Sequence, residues 1–418
     1  MAWIPPDRGP WVEKLVALGR GLGDDGRSMV SLDPADLLEG AVSATGLDDV
    51  GDAWFRDPMD RLCAAIEDEA ELHLPGRIRT RGELQLILQN RLRLIDLWKK
   101  EPAIDEEVVR GPIVVTGLGR SGTTLLHELL ACDEANRPPL LWELVHTVPG
   151  AADVSKGQTN AQYWIDTMHS EITLMDEMVP AFTSMHENGG HLPTECIFAF
   201  AHQFSTDMFT GSYNVPSYTI WKSSIDQTPI YEWHRRMLKT LQWATETERW
   251  VVKAPSHLSA LDLVFETYPD ARVVITHRDP LRVVGSLADT MATLHWMHSN
   301  RVAHTELIEF LCMGLEHQMN EVTKERDSRT LPADQISDVL YSGLTKDPLG
   351  TISKLYATWD IEMTEETSSN MQAYVDARHL HRGGNEHRYR FEDTGLDLKE
   401  HRAIVSDYQE RFGVPSEA

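Results

Sequence analysis

The octet GLGRSGTT, Gly117 to Thr124, follows the β-branched run Ile113 to Thr116 and leads straight into the helical pattern LLHELLA. A strand, a glycine turn and a helix in that order leave a chain few options. The glycines must supply backbone angles closed to other residues, and the helix must aim its N-terminus back at the turn. Backbone N–H groups then point inward and the helix end adds partial positive charge, so the segment is built to cradle an anion. Arg120, inside the loop, contributes a full charge.

The spacing Gly117-x4-Gly122 is that of a Walker A loop, in which a lysine follows to reach the terminal phosphates. Here Thr123 and Thr124 follow instead, which argues against ATP or GTP hydrolysis. A second segment, Trp250 to Leu287, holds two more strand-like runs, Val251–Val252 and Arg272 to Thr276, ending at Lys253 and Arg278. Asp279-Pro280 then supply an N-cap and a first-turn proline, and Ser286 lies two turns into the helix they start. Ligands of open parallel sheets sit beyond the carboxyl ends of the strands, so Arg120, Lys253 and Arg278 are expected to converge on a polyanion.

Arg-Ser-Gly-Thr-Thr in the loop, with Arg278 and Ser286 eight residues apart, resembles the motif pair of sulfotransferases that use 3′-phosphoadenosine 5′-phosphosulfate (PAPS). More narrowly the chain is similar to their bacterial, especially actinobacterial, branch: GRSGTT is followed by Trp142-Glu143 and by Lys253-Ala-Pro-Ser-His257. The resemblance spans Ile113 to Phe412. It implies that Arg120, Ser121, Gly122, Thr123 and Thr124 hold the 5′-phosphosulfate, that Arg278 and Ser286 hold the 3′-phosphate, and that adenosine 3′,5′-bisphosphate (PAP) is the product. Many members close the site with an Arg-Lys-Gly loop, and HRGGNEHRY, His381 to Tyr389, matches it only loosely.

Sulfuryl transfer to a hydroxyl is an in-line displacement that rests on positioning and on stabilising charge at the leaving oxygen. Arg120 and Lys253 suit the second task, one base is required, and no metal is expected. Glu143 is the favoured base, because its position resembles that of the catalytic glutamate of tyrosylprotein sulfotransferases. His257 is the rival, near the histidine of cytosolic sulfotransferases but displaced by two residues. Glu195, in HLPTECIFAF, is a third candidate that would equally suit a helix start. Two other readings stay open: a nucleotide-dependent phosphotransferase with Asp279 as its metal-binding acid, and a non-catalytic nucleotide- or lipid-binding protein.

Neither histidine group, His295, His298 and His304 or His379, His381 and His387, has metal-ligand spacing. The four cysteines are scattered, which favours free thiols and a cytoplasmic protein. The N-terminus lacks a secretion signal, and no apolar stretch approaches the roughly 20 residues of a membrane span. A net charge of −26 disfavours nucleic acid as a partner. A compact anion held by a local positive focus fits better.

Alternating strands and helices predict an α/β fold, a P-loop-like parallel sheet flanked by helices on both faces. An N-terminal helical region, residues 1–110, precedes a core over 111–418, with a mostly helical insertion at about 153–247. The run Ile336 to Leu344 is expected to be a further strand, and Leu349 to Phe412 to be helical. Ten of the 15 methionines fall between Met168 and Met319, among Phe182, Phe198, Phe204 and Tyr213. Adaptable side chains of this kind suit a small, apolar or lipid-like alcohol as acceptor, although helical core packing accounts for the same pattern. A homo-oligomer is compatible with all of this.

Overall fold

The computed structural model describes residues 3–147, 160–185, 189–328, 330–381 and 391–418. Its centre is a parallel sheet of five strands, β1 (Ile113–Gly117), β2 (Asn136–Arg137), β3 (Arg249–Lys253), β4 (Arg272–His277) and β5 (Ile336–Leu340), in the order β2-β3-β1-β4-β5. Side chains alternate across it. Val114, Val252, Val273 and Ile275 face a core completed by Trp98, Trp233 and Leu238, whereas Ile113, Val115, Val251 and Val274 face Leu126, Leu130 and Leu355. Both faces are therefore covered by helices, as a parallel sheet requires.

The helices that build the site are α1 (Pro10–Leu22), α2 (Pro34–Thr45), α3 (Arg56–Glu69), α4 (Leu74–Lys100), α5 (Thr123–Leu130), α6 (Asn160–Met178), α7 (Thr228–Ala244), α8 (Pro280–His298), α9 (His304–Ser328), α10 (Glu365–His381) and α11 (Leu398–Ile404). No helix among the described residues is long and apolar enough to cross a membrane.

The N-terminal helices are stitched to the rest. Leu94, Ile95 and Trp98 of α4 enter the main core, and Leu37, Leu62 and Leu88 share a second core with Phe204, Phe209 and Tyr218 of the insertion. Arg91 is buried at that junction. It donates to the carbonyls of Val50 (2.9 Å), Asp52 (2.7 Å) and His202 (3.1 Å), and its burial pulls its pKa down to about 9. At the other end of α4, Gly76 allows contact with the end of α8: an added Cβ would lie 2.1 Å from the carbonyl oxygen of His298.

Two expectations change. The run from Ile336 to Leu344 is not one strand, because β5 stops at Leu340 and Tyr341–Lys346 is helical. The register pairs Leu340 with His277, the last residue of β4, so residues beyond it have no ladder partner and satisfy their backbone within a helix. The short edge strand β2 had no sequence signal. The described part of the insertion is helical, as expected, while residues 153–159 and the loop His381 to Tyr389 lie outside the described residues, apart from the helical backbone of His381 at the end of α10.

Seven buried histidines, His73, His127, His202, His234, His257, His295 and His298, are held neutral because burial lowers their pKa values. Their folded pKa values lie below the unfolded value of about 6.5, so this stability is complete above that pH and is lost as pH falls through the window beneath it. Each group contributes up to ~1.4 kcal/mol per pH unit there. Chemical denaturation at pH 5 to 8 should show the midpoint falling steeply below pH 6.5 and nearly constant above 7; a flat profile would contradict the neutral assignments.

Candidate active site

The loop is shaped by three left-handed residues, Gly117 (φ +146°), Arg120 (φ +66°) and Gly122 (φ +95°). A Cβ on Gly117 would sit 2.4 Å from Thr276 Oγ1, so the loop leaves β1 tight against the end of β4. Gly122 caps α5 without any side-chain acceptor, which leaves the first N–H groups of that helix facing outward. Ser121 turns the other way. Its Oγ donates to Leu118 O and meets Thr276 Oγ1 at 2.6 Å, both buried, so Ser121 offers an anion only its backbone.

Lys253 ends β3 directly behind the loop. Its Nζ donates to Thr124 Oγ1 at 3.1 Å and pairs with Glu195 Oε1 at 2.9 Å, with only 3% of its side chain exposed. Glu195 gets there because Cys196 N donates to Lys253 O at 2.8 Å, docking the start of its helix on the end of β3. The carboxylate therefore neutralises a buried ammonium, and it also lines the crevice.

Arg278, just past β4, donates from Nη1 to Arg120 O at 3.0 Å and lies 3.9 Å from the Tyr341 ring centroid. Arg120 in turn donates from Nε to Ser286 Oγ at 3.2 Å. Arg120, Arg278 and Ser286 thus form one patch, with Lys253 behind Thr124. The remaining guanidinium edge of Arg278 is taken by Glu417, whose carboxylate accepts at 2.9 and 3.1 Å. Arg282, one turn before Ser286 on α8, also lines the crevice. The sequence reading passed over it, although its spacing of four from both Arg278 and Ser286 was the signal.

Three candidates are displaced. Glu143 does not line the crevice: Oε1 accepts from Arg137 Nη2 at 2.6 Å and Oε2 from Leu140 N at 2.9 Å, which makes it the N3 member of a cap on the helix Leu141–Val145. His257 is in the core, with Nδ1 2.8 Å from Tyr231 Oη and its ring against Phe200 and His234, and burial pulls its pKa down to about 3. Asp279 is saturated by the N–H groups of Leu281, Glu417 and Ala418 and by bidentate Arg402. A phosphotransferase thereby loses its metal-binding acid. Of the histidine groups, His298 accepts from Arg79, and His304 pairs with Asp289 at 3.0 Å beside Trp3; the side chains of His379, His381 and His387 lie outside the described residues.

The loop opens on a cavity of about 2340 Å³. Met168, Met175 and Met178 of α6, Met291 of α8, Ile78 and Leu86 of α4, and Phe182 line its walls, so the N-terminal region and the insertion both contribute. Glu195, Thr124 and Arg120 line it beside the loop, and Arg79, Glu83 and Asp207 are among the other charged residues in its walls.

Residues 112–365 match the model of the sulfotransferase family. The fold is similar to that of the crystal structure of sulfotransferase STF1 from Mycobacterium tuberculosis H37Rv, with 27% identity and a TM-score of 0.77, covering 90% of this chain and 98% of that one. It is also similar to that of sulfotransferase STF9 from Mycobacterium avium, with 22% identity and a TM-score of 0.81 over 92% of this chain and 98% of that one. A curated relative from Mycobacterium tuberculosis, the omega-hydroxy-beta-dihydromenaquinone-9 sulfotransferase Stf3, is 21% identical over 270 residues, 63% of this chain and 67% of its own length.

Proposed function

The chain belongs to the sulfotransferase family, and from that footing we propose that it moves the sulfuryl group of PAPS to the hydroxyl of an apolar, lipid-like acceptor. The observation that carries the reading is the opening of a cationic loop directly onto a methionine-lined cavity. An acceptor hydroxyl held in that cavity meets Glu195 beside the loop. The menaquinone-derived substrate in the name of the Stf3 relative supports a lipid-like acceptor. The four free cysteines support a cytoplasmic setting.

The donor carries the sulfuryl group and a phosphate oxygen that leaves with the bonding pair. Backbone N–H groups of the loop and of α5 receive the 5′-phosphosulfate end, with Arg120 and Thr124 beside it. Arg278, Arg282 and Ser286 take the 3′-phosphate. Glu195 replaces Glu143 as the base: it accepts the hydroxyl proton as the acceptor oxygen bonds to sulfur and the sulfur–oxygen bond to the phosphate breaks. Lys253, bonded to both Thr124 and Glu195, balances the charge that moves to the leaving oxygen.

A thermal-shift titration with adenosine 3′,5′-bisphosphate against 5′-AMP, ADP and Mg-ATP tests the nucleotide site, since a ligand of the folded state raises apparent stability. Selective stabilisation by the bisphosphate is expected, and Arg278→Ala should remove the selectivity; a preference for Mg-ATP would sink the reading. Glu195→Gln should lower turnover by about 10²-fold or more while bisphosphate affinity holds. Glu143→Gln should leave turnover unchanged and cost roughly 1 kcal/mol of stability through the lost cap, and the reverse pattern would return the role to Glu143. Because Glu417 occupies the edge of Arg278 assigned to the 3′-phosphate, Glu417→Gln should tighten bisphosphate binding by about 2- to 5-fold and leave 5′-AMP unaffected, as isothermal titration would show.

A further inference from the structure

Cys312 and Glu316 lie one turn apart on α9, and neither lines the cavity. His401, on α11, faces both. Its Nδ1 is 3.3 Å from Cys312 Sγ and is hydrogen-bonded to Glu316 Oε1, while Sγ lies 3.5 Å from the same oxygen. The sulfur, nitrogen and oxygen atoms are all within 4.8 Å of one another. Cys312 is 1% exposed and Glu316 is 8% exposed, and the ring of Phe391 stands edge-on to His401 at 5.7 Å.

We propose that Cys312, Glu316 and His401 bind a divalent, zinc-like cation, with water as the fourth ligand, in a structural site that shares no residue with the sulfuryl-transfer site. Three features point this way. Thiolate, imidazole and carboxylate are the donors that zinc takes together, whereas magnesium and calcium take oxygen alone. Tetrahedral zinc with bonds of about 2.0–2.3 Å sets its ligand atoms about 3.5 Å apart; the two sulfur separations, 3.3 and 3.5 Å, match those edges, while the hydrogen bond between His401 Nδ1 and Glu316 Oε1 is closer than such an edge and would open on binding. Finally, one thiolate and one carboxylate balance a divalent charge, so the loaded cluster would be neutral inside an apolar surround that includes Phe391 and Leu315.

The place of the cluster in the fold gives the ion a task. It would tie α9 to α11, and the residue after His401 is Arg402, whose guanidinium holds Asp279 at the start of α8. The chain from Phe391 to Ala418 is also held by Tyr408 Oη against His277 Nδ1 at 2.8 Å and by Val405 and Val414 in the main core, so the ion would add to ties already present. A cation at this point would hold that segment, and with it Glu417, against the loop.

The test uses the untagged full chain, stripped with a chelator and titrated with Co²⁺ and then Zn²⁺. One equivalent of Co²⁺ should give a sulfur-to-cobalt absorption band that Zn²⁺ abolishes, and Zn²⁺ should raise the melting temperature. Cys312→Ser should remove the band, His401→Gln and Glu316→Gln should weaken Zn²⁺ binding by about 10²-fold or more, and Cys132→Ser, which changes a more accessible thiol, should alter nothing. No band in the wild-type protein, or a band that survives Cys312→Ser, overturns the proposal. Should Cys312→Ser fail to fold, the wild-type spectrum together with Cys132→Ser decides the matter alone.

Discussion

The close approach of β1 and β4 at Gly117 governs the site. With no Cβ there, the loop can leave its strand against Thr276, and Ser121 can lock onto Leu118 and Thr276 underneath. That lock fixes which way the loop faces. The N–H groups of α5 then point out of the sheet at the same level as the ends of β3 and β4, where Lys253 and Arg278 emerge. Among the described residues, the crevice's donors are largely backbone or are pinned by neighbours.

A chain with a net charge of −26 must keep its few functional cations from being lost in an anionic field. The arrangement here is local pairing with acids that have a second use. Lys253 is neutralised by Glu195, so its burial behind Thr124 leaves no uncompensated charge, and the same carboxylate faces the cavity. Arg278 is neutralised by Glu417 in a contact more open to solvent. One pair is built into the walls, and the other stands nearer to solvent. The difference in burial, 3% and 21% for Lys253 and Glu195 against 17% and 28% for Arg278 and Glu417, separates these behaviours.

Much of this was legible in the sequence, and the remainder was hidden for identifiable reasons. The glycine loop, Lys253, Arg278, the Asp279-Pro280 helix start and Ser286 are local patterns, and the parallel sheet with helices on both faces followed from the alternation of runs. Which carboxylate reaches the crevice was not local. Glu143 and Glu195 both sit at helix starts, and what separates them is a hydrogen bond from Cys196 N to Lys253 O across a long insertion, which no spacing rule encodes. His257 misled for a similar reason: its distance from Lys253 in the chain is short, but the 3₁₀ turn Pro255–Ser259 carries its ring into the core. The strand expected through Leu344 stopped at Leu340 because its neighbour β4 ends first, a tertiary limit on a local propensity.

The contact between Gly76 and His298 has a consequence for how such a site could change. α8 begins beside the glycine loop, with Arg282 and Ser286, and ends where α4 presses on its last turn, so it is a rod fixed at both ends. The methionine wall contributed by α6 is joined to that rod by side-chain packing rather than by strands. Selection can therefore resculpt the cavity by exchanging residues on α6 while the crevice beside the glycine loop keeps its dimensions. A lineage built on this frame would vary its chamber and hold its loop constant.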